Sequence, residues 1–184
     1  FPVRVVKKSE EVAAIRQSLF KTHKAFLHIE DVLAKAHIQE SGALSYQGEV
    51  LTSERLKKEV DHVLLDQDMM NVEGIIISCG AHAAIPHHRG HGPLKAGQTI
   101  VCDIFPRDRT TGYFADMTRT YVKGQPSPEM QKLYDAVLAS QEAGIQNAKP
   151  GKVGKELHEI CKQVFLERAY DVAGNTGFIH GTGH

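Results

Sequence analysis

The sequence lacks most of the features that would assign it at a glance. It carries no excess charge, since 22 Lys and Arg balance 22 Asp and Glu. Electrostatics therefore give no reason to expect nucleic acid or an anionic membrane as a partner. No apolar run approaches the roughly 18 residues of a membrane span. The opening "FPVRVVKKSEE" has no apolar middle of the kind a secretory signal needs. It also has no initiator Met, which reads as a trimmed start or a piece of a longer chain. The three cysteines, Cys79, Cys102 and Cys161, form no Cys-x-x-Cys pair and stand far apart. That suggests neither a disulfide framework nor a thiolate zinc site. Each sits among apolar neighbours and reads as a small buried residue, which fits a reducing, cytoplasmic setting. No Gly-x-Ser-x-Gly is present, so a serine hydrolase has little support. "GPLKAGQT" imitates a phosphate loop, but Gln98 stands where the Lys must be and Pro93 removes an amide donor.

What is present begins with length. A chain of 184 residues can bury a real core, and one domain is the default. "SEEVAAIRQSLFKTHKAFLHIEDVLAKAHI" spaces Val12, Ile15, Leu19, Phe26, Ile29, Leu33 and Ala36 as one face of a long helix. Ser9 suits its cap, and Glu10 and Glu11 suit the positive end of its dipole. "TSERLKKEVDHVLLDQ" predicts a second helix capped by Thr52 or Ser53, with "ESGALSYQGEVLT" as the loop between them. "GIIISCG" is short, apolar and β-branched, hence a buried strand. "QTIVCDIF" and "GYFADMTRTYV" predict two further strands joined by "PRDRTT". Two more helices follow, "PEMQKLYDAVLASQEAGIQNA" with Pro128 in its first turn and "GKELHEICKQVFLERA". Helices segregated from an antiparallel sheet make the fold class α+β.

Histidine supplies the first functional hint. Of 11 in the chain, six fall in two short glycine-containing segments: His82, His87, His88 and His91, then His180 and His184. "PHHRGHG" reads first as a solvated loop, with substrate or metal contact as the alternative. "HGTGH" is not the helical zinc-protease motif, because Gly181 and Gly183 are poor helix formers and no Glu follows His180. In extended backbone its two histidines would share a face about 13 Å apart, so one ion could not take both. Asp103, inside apolar "IVCDIFP", and Asp116, in "GYFADMTRT", lie on adjoining strands of one hairpin. Two carboxylates pressed together need a shared proton or a cation between them. The competing reading pairs each with Arg107, Arg109 or Arg119 at the surface. An added imidazole from His184 would suit zinc, manganese, cobalt or iron.

The ordered set "AAIPHHRG", "LKAGQTIVCDIFPRDRTTGYFADMTRTYVKGQPSPE", "YDAVLASQEAGIQNAKPGK" and "GFIHGTGH" resembles the pita-bread metallopeptidases, which include aminopeptidase P, prolidase, methionine aminopeptidase and the metal-free creatinase. "DMTRT" and "HGTGH" are similar to the Xaa-Pro branch. The resemblance implies a pita-bread fold and removal of an N-terminal residue from Xaa-Pro peptides. It implies two divalent ions (Mn, Co or Zn) on two Asp, one His and two Glu. Asp103 matches the first Asp ligand, Asp116 the bridging Asp and His184 the His ligand. His180 and His87 match substrate-pocket histidines, and His88 has no counterpart. The family's later His-Glu pair, its two Glu ligands and its usual N-terminal domain are not in this sequence. The expectation is therefore that residues 1–184 form the first two-thirds or so of a catalytic domain, cut at both ends. Three of five ligands should bind metal weakly and hydrolyse little, and an uncovered core could drive homo-oligomer formation. The rival expectation is a pita-bread module that binds peptides or proteins without catalysis. Retention of Asp103, Asp116 and His184 together speaks against it, and against creatinase-like chemistry.

Overall fold

The structure, a computed structural model, describes residues 2–170, 178 and 180–183. The chain divides into two compact units, residues 1–126 and residues 127–184.

The first unit opens with a short turn of helix, α1 (Pro2–Val5), and the long helix α2 (Ser9–Lys35). Lys8, not Ser9, occupies the cap position of α2, and the Glu11 carboxylate accepts the Lys8 amide at 2.8 Å. The apolar stripe predicted for α2 is buried only in its second half, at Phe26, Ile29, Leu33 and Ala36. Val12 is exposed, and the inward positions of the middle turns belong to Ser18 and Thr22 instead. Their hydroxyls stay satisfied by donating to the carbonyls of Ala14 and Ser18, one turn back.

The expected loop "ESGALSYQGEVLT" contains most of a small antiparallel ribbon. Strands β1 (His37–Ile38), β2 (Leu44–Tyr46) and β3 (Glu49–Val50) pair in that order. Helix α3 (Ser53–Asp66) follows, and the Thr52 side chain accepts the Arg55 amide as its cap. Ser53 does another job: its buried hydroxyl donates to the Ile77 carbonyl, tying α3 to the sheet.

Strand β4 (Met69–Met70) precedes β5 (Ile76–Cys79), a 3-10 turn over Gly80–Ala84, β6 (Thr99–Ile104), β7 (Arg107–Asp108) and β8 (Met117–Val122). The main sheet runs β5-β6-β8, antiparallel throughout, and β4 pairs separately with β7. The predicted strand "GYFADMTRTYV" is thus strand only from Met117 on. The chain between β6 and β8 first turns aside to pair Arg107 with Met70 and Asp108 with Met69.

Burial along β6 alternates strictly: Ile100, Cys102 and Ile104 are buried, while Thr99, Val101 and Asp103 are not fully so. This two-residue period splits the strand into a core face and an outer face. The core face packs with Phe26, Ile29, Val32 and Leu33 of α2 and with Leu56, Val60 and Leu64 of α3 in one cluster. Each such side chain contributes about 1.5–3 kcal/mol by leaving water. Cys102 and Ile104, the immediate neighbours of Asp103 in the strand, therefore point away from it into the core.

The second unit carries α4 (Pro128–Asn147) and α5 (Gly154–Glu167). Pro128 is the first helical residue of α4, and the Ser127 hydroxyl accepts the Met130 amide. The two helices pack through Ala136, Phe165 and the Ser140 hydroxyl, which donates to the Cys161 carbonyl at 3.0 Å. Among the described residues, no helix is long and apolar enough to cross a membrane. Cys102 and Cys161 are buried as expected, whereas Cys79 is only half-buried.

Candidate functional site

The register of the main sheet brings the two sequence-selected carboxylates together. Asp103 lies opposite Thr118, and Asp116 stands two residues before Thr118. In extended backbone that is the diagonal neighbour on one face, within reach of side chains. The Thr118 hydroxyl donates to Asp103 at 2.6 Å. Asp116 and His87 both lie close enough to act on the Asp103 carboxyl. Burial pushes the Asp103 carboxyl above its ordinary value. Thr118 opposes that rise, the negative charge and hydrogen bond of Asp116 add to it, and His87 pulls it down. Burial is the larger cause, and the part of the rise that comes from the neighbouring carboxylate is what a cation between the two would relieve. The residues present thus fit divalent ions held by oxygen donors.

Two of the three arginines of the competing reading have other partners. Arg107 donates to the Met70 sulfur at 3.6 Å. Arg119 donates to the Thr118 carbonyl at 2.8 Å and lies over the Phe26 ring.

The connection that spaces the pair is anchored by Asp108, 1% exposed. One carboxylate oxygen accepts the amides of Thr110 and Thr111 at 2.9 and 2.8 Å, and the other takes the Lys21 ammonium at 2.5 Å. Burial alone would raise Asp108. The Lys21 contact and the two amides outweigh it and hold the carboxyl at about 2. Sequence reading missed this residue, because "PRDRTT" looks like a solvent turn.

Beside the pair opens a cavity of about 600 Å³, lined by Val72, Glu73, Ile76, His87, Arg89 and Phe105. Ile76 sits opposite Asp103 in register. His87 adopts left-handed backbone, φ +61°. The segment carrying it is held against β5, where the Ile77 amide donates to the Arg89 carbonyl at 3.2 Å. Gly90, φ +74°, lies so near the Ile77 carbonyl that a side chain there would collide with backbone. Arg89 had no signal in the sequence beyond its place in the histidine loop, and Phe105 none beyond standing two residues after Asp103.

Of the remaining sequence-selected residues, His184 lies outside the described residues. His180 belongs to the second unit, where its ring is 5.9 Å from that of Phe178. It lines an apolar cavity of about 1130 Å³ with His158, Phe178 and Thr182. His88, with no assigned role, stacks against His82 at 4.1 Å between ring centroids.

Comparison with known proteins decides the family. Residues 13–184 match metallopeptidase family M24. The chain belongs to that family. An Xaa-Pro aminopeptidase 2 of Streptomyces coelicolor is 28% identical over 99% of this chain and 39% of its own length. An Xaa-Pro dipeptidase of Pyrococcus furiosus is 27% identical over 99% of this chain and 47% of its own. The M24 chain described here therefore spans less than half the length of these relatives. Among solved structures, an X-Pro aminopeptidase from Thermotoga maritima superposes with TM-score 0.77 at 24% identity, covering 92% of this chain and 44% of that one. A prolidase from Pyrococcus furiosus gives 0.76 at 23%, covering 92% and 46%. These likenesses establish the shared α+β pita-bread fold.

Proposed function

We propose that this M24 chain forms the first part of the catalytic domain of a dinuclear-metal peptidase that removes an N-terminal residue from Xaa-Pro peptides. The observation that carries the reading is the convergence of Asp103 and Asp116 on the outer face of the main sheet, beside a cavity lined by His87. Asp103 and Asp116 would hold divalent ions, and His184 would add the imidazole ligand. Manganese, cobalt and zinc all accept such a mixed set. Ions held there would act as Lewis acids on a peptide carbonyl and lower the pKa of the attacking water. The chain's own residues set the geometry around them. Thr118 fixes the rotamer of Asp103 by its 2.6 Å hydrogen bond. His87 and Arg89 supply polar contacts at the cavity wall, while Ile76 and Phe105 give it an apolar side suited to a proline ring. His180 would meet substrate. A cytoplasmic setting belongs to the same reading and is supported by three unpaired cysteines.

Asp103 and Asp116 supply only part of a dinuclear donor set, so this chain alone should hydrolyse little. A non-catalytic peptide-binding module is the alternative. It has no use for two carboxylates held in contact, which is why the peptidase reading is preferred. The test is a titration of the chain with Ala-Pro and with Ala-Gly, followed by NMR. Ala-Pro should shift the resonances of His87 and Phe105 more than Ala-Gly does, and His87→Ala should weaken the response. Equal responses to both peptides would sink the Xaa-Pro assignment. Rapid Mn²⁺-dependent hydrolysis would sink the statement that this chain is impaired alone.

A further inference from the structure

The histidine loop contains a second cluster that the carboxylate site does not use. His82, on the 3-10 turn, and His88 and His91, on the loop after it, bring one nitrogen each within 4.8 Å of the others. The rings of His82 and His91 are 4.3 Å apart, centroid to centroid, and those of His88 and His91 are 5.8 Å apart. Partial burial and then the neighbouring His88 and His91 hold the His82 pKa below its ordinary value. Neutral imidazole is the form that ligates a transition metal.

We propose that His82, His88 and His91 form a three-imidazole site for a single borderline divalent ion of the Zn²⁺ type, separate from the Asp103–Asp116 pair. Three neutral nitrogen donors without a carboxylate favour zinc, nickel or copper over magnesium, calcium or manganese. The geometry needs only local adjustment. Two nitrogens on one tetrahedral ion at about 2.0–2.1 Å stand roughly 3.3 Å apart, so the rings must close from within 4.8 Å. The stacked His82 and His88 rings, 15° from parallel, must rotate to converge. His88 Nδ1 now accepts the Gly90 amide at 3.0 Å, so its neutral form carries the proton on Nε2. Binding through Nδ1 gives up that hydrogen bond, worth about 1 kcal/mol, and binding through Nε2 gives it up as well, because the Nε2 proton must move by way of water to Nδ1, which then no longer accepts the Gly90 amide. Three metal–nitrogen bonds outweigh either cost.

The anchoring backbone is already fixed. The Ser78 hydroxyl donates to the His88 carbonyl, and the Lys57 ammonium to the Gly90 carbonyl at 2.8 Å. An ion here would clip the 3-10 turn to the loop that presents His87. The site would thus set the position of a residue lining the cavity without itself touching the carboxylates.

Zn²⁺ alone, titrated into the full chain by calorimetry, tests the proposal. The Asp103→Asn/Asp116→Asn double variant should still bind one Zn²⁺ at wild-type strength. His82→Ala should weaken that binding by at least about tenfold, since even outer-sphere changes cost 10–100-fold. His82→Ala/His91→Ala should abolish it, with an unchanged circular dichroism spectrum. As a check independent of mutation, Zn²⁺ should shift the ring ¹⁵N resonances of His82, His88 and His91 together. Wild-type Zn²⁺ affinity in the His82→Ala/His91→Ala chain, or shifts confined to other histidines, would overturn it.

Discussion

Replacing Asp108 with Asn removes a charge that the structure buries almost completely, and the consequence can be worked through. The Asp108 carboxylate takes the Lys21 ammonium at 2.5 Å and the amides of Thr110 and Thr111. Its folded-state pKa of about 2, against an ordinary 3.8, corresponds to about 2 kcal/mol of stability at neutral pH. The sign follows from the depressed value. The contribution is complete above pH 4 and is lost as pH falls through the folded pKa near 2. Asn keeps one oxygen for the loop amides but no charge for Lys21, whose side chain is only 17% exposed. We expect Asp108→Asn to cost about 2–3 kcal/mol at pH 7, below the 3–5 of a fully buried pair because Lys21 can partly rehydrate. For a chain of this size that lowers Tm by about 5–10 °C. Urea unfolding of both proteins between pH 7 and pH 2 is the assay. The gap should narrow steadily below pH 4 and close near pH 2. A gap under about 0.5 kcal/mol at pH 7, or one that acid leaves unchanged, refutes the reasoning. Because Asp108 anchors the connection that spaces Asp103 from Asp116, the variant should also bind divalent ions less well than wild type.

Other outcomes follow from the same structure. Phe26→Ala, at the centre of the helix–sheet core, should destabilise by about 3–5 kcal/mol in denaturant titrations. Ser53→Ala leaves the buried Ile77 carbonyl without its side-chain donor and should cost about 1 kcal/mol in the same assay. In native protein a thiol reagent should modify Cys79 well before Cys102. Cys102 is fully buried with its thiol pKa raised by that burial, so labelling of Cys102 at the Cys79 rate would contradict the packing. Gly90→Ala should destabilise by more than a surface glycine replacement such as Gly112→Ala, because only Gly90 lies against backbone.

Periodicity made the helices legible, since α2, α3, α4 and α5 are long enough for a 3.6-residue pattern to stand out. The Asp103–Asp116 pair was legible for a related reason: a hairpin fixes cross-strand distance once its strands are found. What escaped had no local signature. Strands β1, β3, β4 and β7 are two residues each, too short for any period to register. Asp108 looks like a turn residue until the distant Lys21 reaches it. Ser18 and Thr22 hold core positions because a helix can satisfy hydroxyls on its own carbonyls, which composition does not show. "PHHRGHG" reads as a solvated loop because the convergence of His88 and His91 with His82 depends on residues 88 and 89 folding back along β5. Val12 fitted the stripe by spacing, yet it is exposed.

The central claim is that Asp103 and Asp116 form a cation site in an M24 peptidase chain, and Mn²⁺ binding followed by electron paramagnetic resonance tests it most directly. Adding the chain should deplete the free Mn²⁺ signal with an affinity weaker than micromolar, and Asp103→Asn or Asp116→Asn should each restore the signal. Mn²⁺ depletion that is the same in wild type and in both variants would contradict the account.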